Sequence, residues 1–429
     1  MIKQNLFFNC IFFLLFAGGN ALGTQHFSNQ CFNDSIHSVH LSNELNWNSD
    51  QINVKGSSAP CLRLKSNEQL TLRFDCLNSE YKAYSYTLVH CNPDWTPSDL
   101  FTNDYLIGYE EDNIASYSYS QNTIQPYIHY NVSFPNDNMK LSKSGNYVIV
   151  VYEVGDRDKV ILTQKFYVYE NKTSISVAPT HSIIKSDAQH QINFEVNQSL
   201  IGSTDPRNEF RVTVVQNNNF ENQLFYQPTF IGNNLLTYTG LRLNFEAGNE
   251  FRQFDTRNIN LNTAGLGVYK SIYEAPFYHS ILTPVQSRQP LTYSQYTDHN
   301  GKRFVMAQKN KSAYTETDYS WVYFYLDYPE PDSTCSFYIW GELTNWEKSK
   351  KAKLQYNQKS KQYTGKLFLK QGVYDYAILS ESPSKKGLFW KTAEGNFYQT
   401  DNEYLILVYH KHFNSNHFAL VGFKNFNYR

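Results

Sequence analysis

The sequence predicts an all-β protein built from tandem immunoglobulin-like β-sandwiches. Nearly every patterned segment of the 429-residue chain alternates apolar and polar residues with a period of two, as strands do. Turn-forming Asn, Asp, Gly, Pro and Ser residues recur after roughly 8 to 12 residues, a spacing typical of sandwiches. Long helical patterns are missing, so we expect strands throughout.

The N-terminal segment has the features of a secretory signal. Lys3 precedes an apolar run over residues 6–16, and Ala21-Leu22-Gly23 is a small-x-small cleavage signal. A membrane-spanning helix needs about 20 apolar residues, which this run does not reach. The sequence therefore predicts a signal peptide over residues 1–23 and a mature chain without lipid anchor or membrane insertion.

Composition argues against several classes of function. The chain has 38 Lys+Arg against 39 Asp+Glu, so no basic surface attracts nucleic acid. Paired zinc ligands, the twelve-residue calcium loop and phosphate-binding loops are absent from the sequence. We expect no cofactor and no metal. Aromatic residues reach 16% and charged residues only 18%, a balance that suits a protein interface.

The first sandwich is predicted over residues 24–170. Residues 69–74 and 83–88 both alternate apolar and polar side chains around a polar turn, which predicts a hairpin. Residues 146–154 and 159–168 form a second predicted strand pair, joined by a short turn. The domain ends as immunoglobulin-like domains usually end.

Two further sandwiches are predicted in linear order. The second covers residues 171–286, a polar connecting segment covers 287–317, and the third covers 318–429. The strand order of the third resembles early-set sandwiches, which include glycogen-binding modules.

Trp346 is a candidate surface aromatic on the third sandwich. It follows the same Gly-x-x-x-x-Trp loop that places the sugar-stacking tryptophan in glycogen-binding modules. In those modules a Lys follows the Tyr of the next motif, but here Ala377 follows Tyr376. Carbohydrate binding is therefore disfavoured, and packing of Trp346 over the edge of the sandwich is the favoured interpretation.

The loop after the predicted hairpin is the most distinctive segment without strand pattern. Its candidate residues are Asp94, Trp95, Ser98 and Asp99. A glycosidase holds two acids across a bond at a defined separation, which two acids on one turn do not show. Ordinary turn chemistry is the simplest interpretation. The functional alternative is a partner contact, with Trp95 projecting as its anchor.

The cysteines do not indicate a catalytic site. Five remain after the signal, an odd number, so at least one is expected to be free. Cys76 and Cys91 have poor register for a bridge, and His90 points to the opposite strand face from Cys91. The pairing stays open among Cys31, Cys61, Cys76, Cys91 and Cys335.

Several segments, in order along nearly the whole chain, carry a resemblance to a known family: residues 88–100, 143–152, 214–217, 247–254, 340–346 and 370–376. Together they resemble the plug protein family of the Bacteroidetes type IX secretion system. One departure is Asp75-Cys76 after Phe74, where the family would place an acid pair.

The resemblance implies a non-enzymatic function. Members of the family are expected to lie in the periplasm, at the inner face of the outer membrane, and to close the periplasmic end of the translocon barrel sterically. The expected partner is that large barrel. A secreted carbohydrate-binding or adhesive sandwich protein is the alternative, supported by the architecture and by Trp346.

Overall fold

The fold is almost entirely β. It contains 51% strand and 5% helix, which confirms the predicted all-β class, whereas the immunoglobulin-like detail stays a prediction. The predicted signal peptide lies outside the described residues, and no helix within them has the length and apolar character needed to cross a membrane. The computed structural model describes residues 26–43, 59–78, 80–181, 187–220, 223–259, 265–306 and 311–428.

The first sandwich consists of two facing sheets and one short helix, α1 (Thr102–Tyr105). One sheet has the order β1-β12-β11-β5-β7, with β3 beside β12, and the other has the order β2-β4-β9-β8. A small sheet pairs β10 with β6. The strands are β1 (Gln30–Cys31), β2 (Ile36–Ser42), β3 (Cys61–Arg63), β4 (Leu70–Cys76), β5 (Tyr84–Cys91), β6 (Leu106–Gly108), β7 (Asp112–Asn113), β8 (Ser116–Tyr119), β9 (Ile128–Phe134), β10 (Met139–Leu141), β11 (Gly145–Glu153) and β12 (Asp156–Tyr169).

The predicted hairpin between residues 69–74 and 83–88 is wrong. β4 pairs with β2 and β9, whereas β5 pairs with β11 and β7 in the opposite sheet. Alternation shows that a strand has an apolar face, but it does not show which strand lies beside it. The second predicted pair is confirmed, because β11 and β12 run antiparallel.

The second sandwich begins with seven strands, the short helix α2 (Pro206–Glu209) and a 3₁₀ turn at Leu241–Leu243. One of its sheets has the order β13-β14-β18-β17, with β19 beside β14. β15 and β16 start the facing sheet. The strands are β13 (Ser174–His181), β14 (Gln189–Asn197), β15 (Phe210–Gln216), β16 (Phe225–Tyr226), β17 (Phe230–Ile231), β18 (Leu235–Tyr238) and β19 (Asn244–Glu246).

The third sandwich follows before the second is complete. In one sheet β20, β24, β26 and β30 pair around β29, and the other has the order β21-β22-β25-β28-β27, with β23 beside β25. Two 3₁₀ turns lie at Glu342–Thr344 and Lys350–Ala352. The strands are β20 (Arg252–Asp255), β21 (Val268–Glu274), β22 (Phe277–Leu282), β23 (Val285–Gln286), β24 (Arg303–Val305), β25 (Tyr319–Asp327), β26 (Ser336–Trp340), β27 (Gln355–Asn357), β28 (Gln362–Lys370), β29 (Gly372–Ser382) and β30 (Lys385–Phe389).

The chain then returns to the second sandwich. β31 (Asn402–His410) pairs along the whole of β15, and β32 (Ala419–Tyr428) pairs with β31. The third sandwich is thus inserted into the second, and the predicted boundaries at residues 286 and 318 do not separate them. The predicted connecting segment contains β24, which pairs with β29. Strand spacing does not show which sheet a strand joins, and this is why the linear order failed.

Two strands of the first sandwich are buried on both faces. Along β11, Tyr147, Ile149 and Val151 face the core of their own sandwich. The alternate residues Val148 and Val150 belong to a second apolar cluster that includes residues of β31. All seven residues of β4 are also buried, so each sheet of the first sandwich contains one strand whose outer face is covered.

Removal of residues 402–429 is expected to unfold the second sandwich and leave the third folded. The deletion removes β31 and β32, which complete the sheet beside β15, and exposes the apolar face of β14. Hydrogen exchange with mass spectrometry measures this directly: amides of Gln189–Asn197 should lose protection, while those of Tyr319–Asp327 keep it. Retained protection of β14 would contradict the inserted arrangement.

Candidate functional site

The loop after β5 is a tight turn closed by its own polar groups. The Trp95 amide donates to the Asn92 carbonyl at 2.9 Å. Asp94 Oδ1 accepts from the amide and the hydroxyl of Thr96, at 3.1 and 2.7 Å. Asp94 and Asp99 are exposed, and the half-buried Ser98 hydroxyl lies 2.8 Å from His90 Nδ1. The predicted turn chemistry therefore accounts for most polar groups of this loop.

Trp95 does not project from the turn. Its side chain is only 3% exposed and lies against the rings of Tyr167 and Phe220, with centroid distances of 5.3 and 6.0 Å. The Lys165 ammonium lies 4.9 Å from its ring centroid. The expectation of an exposed anchor is wrong, because the second sandwich, whose Phe220 contacts the indole, covers this end of the first.

The first and second sandwiches meet through an apolar sheet-to-sheet contact. A polar link lies within it: the Tyr409 hydroxyl donates to Asn146 Oδ1 at 2.7 Å. Asn146 in turn donates to the Asn92 carbonyl at 3.2 Å. Large apolar interfaces of this kind hold domains as one body. The buried residues of the contact between the first and second sandwiches include Val148, Val150, Tyr152, Leu405, Leu407, Tyr409 and Leu420.

A buried ion pair joins the first and third sandwiches. Lys370 Nζ, at the end of β28, lies 2.7 Å from Asp75 Oδ2 on β4, and the two side chains are 2% and 1% exposed. The Tyr319 hydroxyl donates to the same oxygen at 2.7 Å. His129 Nδ1 lies 2.6 Å from the other oxygen, Oδ1. Both carboxylate oxygens are therefore satisfied, the condition under which a buried charge is tolerated.

The surroundings of Asp75 favour its ionised form. Burial raises the pKa of this carboxyl, but the Lys370 ammonium and His129 lower it by more, and the resulting pKa is about 2. Asp75 and Lys370 both lie in segments that the sequence marks as distinctive, but nothing in the sequence pairs them. On β4 the charged residues alternate with apolar ones, and if such a strand is buried, its charged side chains need a polar partner in place of solvent.

The loop after β26 provides a second polar contact to the first sandwich. Glu342 Oε1 lies 2.7 Å from His40 Nδ1, and Glu347 Oε1 accepts from the Asn29 amide at 2.9 Å. Burial raises the pKa of Glu342, but His40 and the Arg303 guanidinium outweigh it and hold the pKa at about 2. These contacts fix the third sandwich against β1 and β2.

Trp346 is not a surface aromatic. It is 9% exposed, and its ring centroid lies 6.3 Å from that of Trp340 and 6.4 Å from that of Phe251. A Cβ added to Gly301, whose φ is +80°, would lie 2.5 Å from the Trp346 ring. The tryptophan therefore packs over the sandwich edge and offers no stacking face to a sugar.

The described cysteine thiols are free, and burial disfavours the ionisation of several of them. All five described cysteines lack a disulfide. Burial raises the pKa of Cys31 to about 11 and that of Cys335 to about 12, so the reactive thiolate is scarce at neutral pH. Within the described ranges, no group of three or more His, Cys, Asp or Glu side chains is placed to hold a metal ion.

Exposed tyrosines line one sheet edge of the first sandwich. Tyr81, Tyr117 and Tyr119 are 46%, 41% and 52% exposed. The rings of Tyr81 and Tyr117 lie 4.6 Å apart, and those of Tyr117 and Tyr119 lie 5.9 Å apart. We call these three residues the tyrosine edge, because β8 is the terminal strand of its sheet. The tyrosine edge was not predicted from the sequence, although Ser116-Tyr117-Ser118-Tyr119 has the alternation of a strand.

Comparison with known proteins identifies the family. The family model described as type 9 secretion system plug protein 1st domain matches residues 36–170. A hypothetical protein from Parabacteroides merdae ATCC 43184, known from a crystal structure, is 31% identical with a TM-score of 0.88; the match covers 94% of this chain and 100% of that one. The chain belongs to the type IX secretion system plug protein family. No curated protein matches it.

A second structural likeness carries no argument for this plug-family chain. Trypsin-activated α2-macroglobulin from Escherichia coli is 8% identical with a TM-score of 0.16, and the match covers 87% of this chain and 28% of that one. Within the family match, residues 36–170 include Asp75, Trp95 and Asn146. All three lie in contacts between sandwiches.

Replacement of Trp95 by Ala is expected to lower the free energy of unfolding by about 3 to 5 kcal/mol, because it leaves a cavity in the contact between the first and second sandwiches. Asp99→Ala on the same loop, at an exposed position, should change it by less than about 0.5 kcal/mol. Urea unfolding of both variants measures the difference. A Trp95→Ala protein as stable as Asp99→Ala would show that the indole is not packed.

Replacement of Asp75 by Asn is expected to cost about 3 to 5 kcal/mol, because the buried Lys370 ammonium loses its counter-charge. The pKa of Asp75 is about 2 in the fold against a reference of 3.8. A depressed pKa contributes stability that is complete above the reference value and lost as pH falls from about 4 to about 2.

Stability measured against pH tests this assignment. Asp75→Asn should flatten the loss of stability between about pH 4 and pH 2 relative to the unmodified protein. The double variant Asp75→Leu, Lys370→Met removes both charges and should be more stable than Asp75→Asn alone. If Asp75→Asn loses stability between about pH 4 and pH 2 as steeply as the unmodified protein, Asp75 is not ionised and paired in the fold.

Proposed function

We propose that the protein is a non-enzymatic periplasmic plug that sterically closes the periplasmic end of the type IX secretion translocon barrel. The observation that carries the proposal is the burial of β11 and β4, one strand in each sheet of the first sandwich, on their outer as well as their inner faces. Three sandwiches joined in this way form a stiff, bulky body. A steric block needs that property, because a stopper with mobile domains would leave gaps.

The chemistry of the described residues supports a mechanism without catalysis. Two enclosed carboxylates are committed to structural partners: Glu394 lies 3.0 Å from Arg252 and 2.6 Å from Arg288, and Asp75 is held by Lys370 in the same way. Covalent catalysis requires a nucleophile in contact with a general base. Burial disfavours the ionisation of Cys31 and Cys91.

Two surfaces of the first sandwich are proposed to contact the barrel. One is the loop with Asp94, Ser98 and Asp99, which offers polar groups beside a buried Trp95. The other is the tyrosine edge, since tyrosine supplies contact area at little cost in side-chain entropy. Release then follows from competition by a secreted substrate or another component for the same barrel mouth, which is a difference in affinity.

The carbohydrate-binding alternative lacks support from the third sandwich. Its candidate platform, Trp346, is buried at 9% exposure, and Ala377 at the position of the sugar-bonding Lys is fully buried. Neither offers a face or a donor to a sugar.

Deletion of the gene is expected to make the outer membrane leaky to small hydrophilic antibiotics while the translocon stays assembled, because a steric block has been removed. When the deletion strain is complemented with the double variant Tyr117→Ala, Tyr119→Ala, the permeability barrier of the outer membrane should be restored less well than with the unmodified gene. It should also recover less barrel on co-purification from detergent-solubilised outer membranes, at an unchanged melting temperature.

Tyr269→Ala is the matched control, since Tyr269 is 61% exposed on the third sandwich. It should restore the barrier and recover the barrel fully. Unchanged permeability of the deletion strain with an intact translocon would contradict the plug and favour the adhesive protein. If the Tyr117→Ala, Tyr119→Ala variant and the Tyr269→Ala variant restore the barrier and recover the barrel equally well, the tyrosine edge is not the contact with the barrel.

A further inference from the structure

β8 leaves the backbone groups of two residues at an open sheet edge. Next to the strand, the Ser120 amide donates to the Tyr127 carbonyl at 2.9 Å. Hydrogen-bonded pairs recur at every second position of an antiparallel ladder, so in the register of β8 and β9 the next such pair contains Ser118. Tyr117 and Tyr119 lie at the intervening positions. Their N–H and C=O groups therefore point away from β9.

No other strand of the described chain pairs with this edge. β8 is the terminal strand of its sheet, and β9 is its partner strand. All four residues of β8 are exposed. The N–H and C=O groups of Tyr117 and Tyr119 therefore face solvent along one line, which is the arrangement that accepts an added strand.

Two other terminal strands are shielded in ways that β8 is not. The edge of β32 is partly covered, because the Lys172 amide donates to the Val421 carbonyl at 3.0 Å. β21 has a register shift between Val268 and Lys270. Bulges, charged residues and prolines are usual protection against strand addition. β8 has none of these three, since its sequence is Ser-Tyr-Ser-Tyr and its register to β9 is unbroken.

The side chains at this edge continue the core of the first sandwich. Tyr117 lies opposite Tyr130, and opposite residues of an antiparallel pair share a face. The two ring centroids are 6.1 Å apart, and Tyr130 stacks on Phe74 at 5.2 Å. Tyr130 and Phe74 are fully buried, whereas Tyr117 is 41% exposed. An aromatic layer thus runs from the core to the open edge and offers apolar area to the side chains of an incoming strand.

We propose that β8 binds an extended peptide segment by strand addition. The segment forms backbone hydrogen bonds with Tyr117 and Tyr119, and its alternate side chains, which are apolar, pack on the tyrosine edge. Under the proposed plug function, on which the choice of partner rests, the segment belongs to the barrel chain. A closed barrel has no free strand edge, so the segment protrudes from the barrel wall at the periplasmic end.

Residue-resolved hydrogen exchange tests the pairing. The unmodified protein is measured alone and in the complex recovered with the barrel from detergent-solubilised outer membranes. The amides of Tyr117 and Tyr119 should exchange rapidly in the free protein and roughly tenfold more slowly in the complex, because each gains a hydrogen bond. The Ser118 amide should be protected in both states. Unchanged exchange of the two tyrosine amides in the complex would overturn strand addition.

Proline at position 117 separates the backbone contribution from that of the ring. Tyr117→Pro and Tyr117→Ala both remove the ring, but only proline also removes the amide hydrogen at the open edge. Because that amide has no bond to β9, proline is compatible with this edge position, and the two variants should melt at similar temperatures. Tyr117→Pro should bind the solubilised barrel about tenfold more weakly than Tyr117→Ala, the effect of one lost hydrogen bond.

Equal binding of the barrel by the two variants would overturn strand addition and leave the plug proposal intact. If Tyr117→Pro does not fold, the exchange measurement on the unmodified protein decides alone. Failure of the unmodified protein to recover any barrel would overturn both proposals together. Slow exchange of the two tyrosine amides in the free protein, becoming fast on dilution, would assign the edge to a second copy of this chain and overturn the proposal.

Discussion

The structure depends on one constraint: β11 and β4, one strand in each sheet of the first sandwich, must be covered on their outer as well as their inner faces. β11 presents Tyr147 and Ile149 to its own core and Val148 and Val150 to the second sandwich. If the second sandwich were removed, this apolar surface would face water at a cost of about 25 cal/mol per Å². The first and second sandwiches therefore stabilise each other.

The two outer faces are covered by different chemistry. The face at β11 is apolar and packs against the second sandwich as the two sheets of a sandwich pack against each other in a hydrophobic core. The face at β4 carries Arg73 and Asp75, both buried. The buried Asp75 carboxylate needs a positively charged partner, and Lys370 of the third sandwich provides it. An apolar contact tolerates small shifts, whereas a buried ion pair loses most of its value when one partner moves, so the charged face sets the orientation of the third sandwich.

The segments that relate this chain to the plug family concentrate at these contacts. Asn146 of the first sandwich bonds Tyr409 of the second, and Lys370 of the third bonds Asp75 of the first. Glu342, in the loop before Trp346, lies against His40. A stiff assembly is the common result of all three, which agrees with a function carried out by shape. Surfaces that meet a partner then have to be sought among exposed residues such as the tyrosine edge.

The sequence by itself determined the all-β class, most strands and the local pair of β11 and β12, because period-two alternation and a short turn are local properties. Only the tertiary structure decided that β4 and β5 lie in opposite sheets, that β31 returns to β15, and that Trp95 and Trp346 are buried. The physical reason is the same in each case. Alternation specifies which side chains avoid water, but the element that covers them is chosen by contacts between residues far apart in the chain.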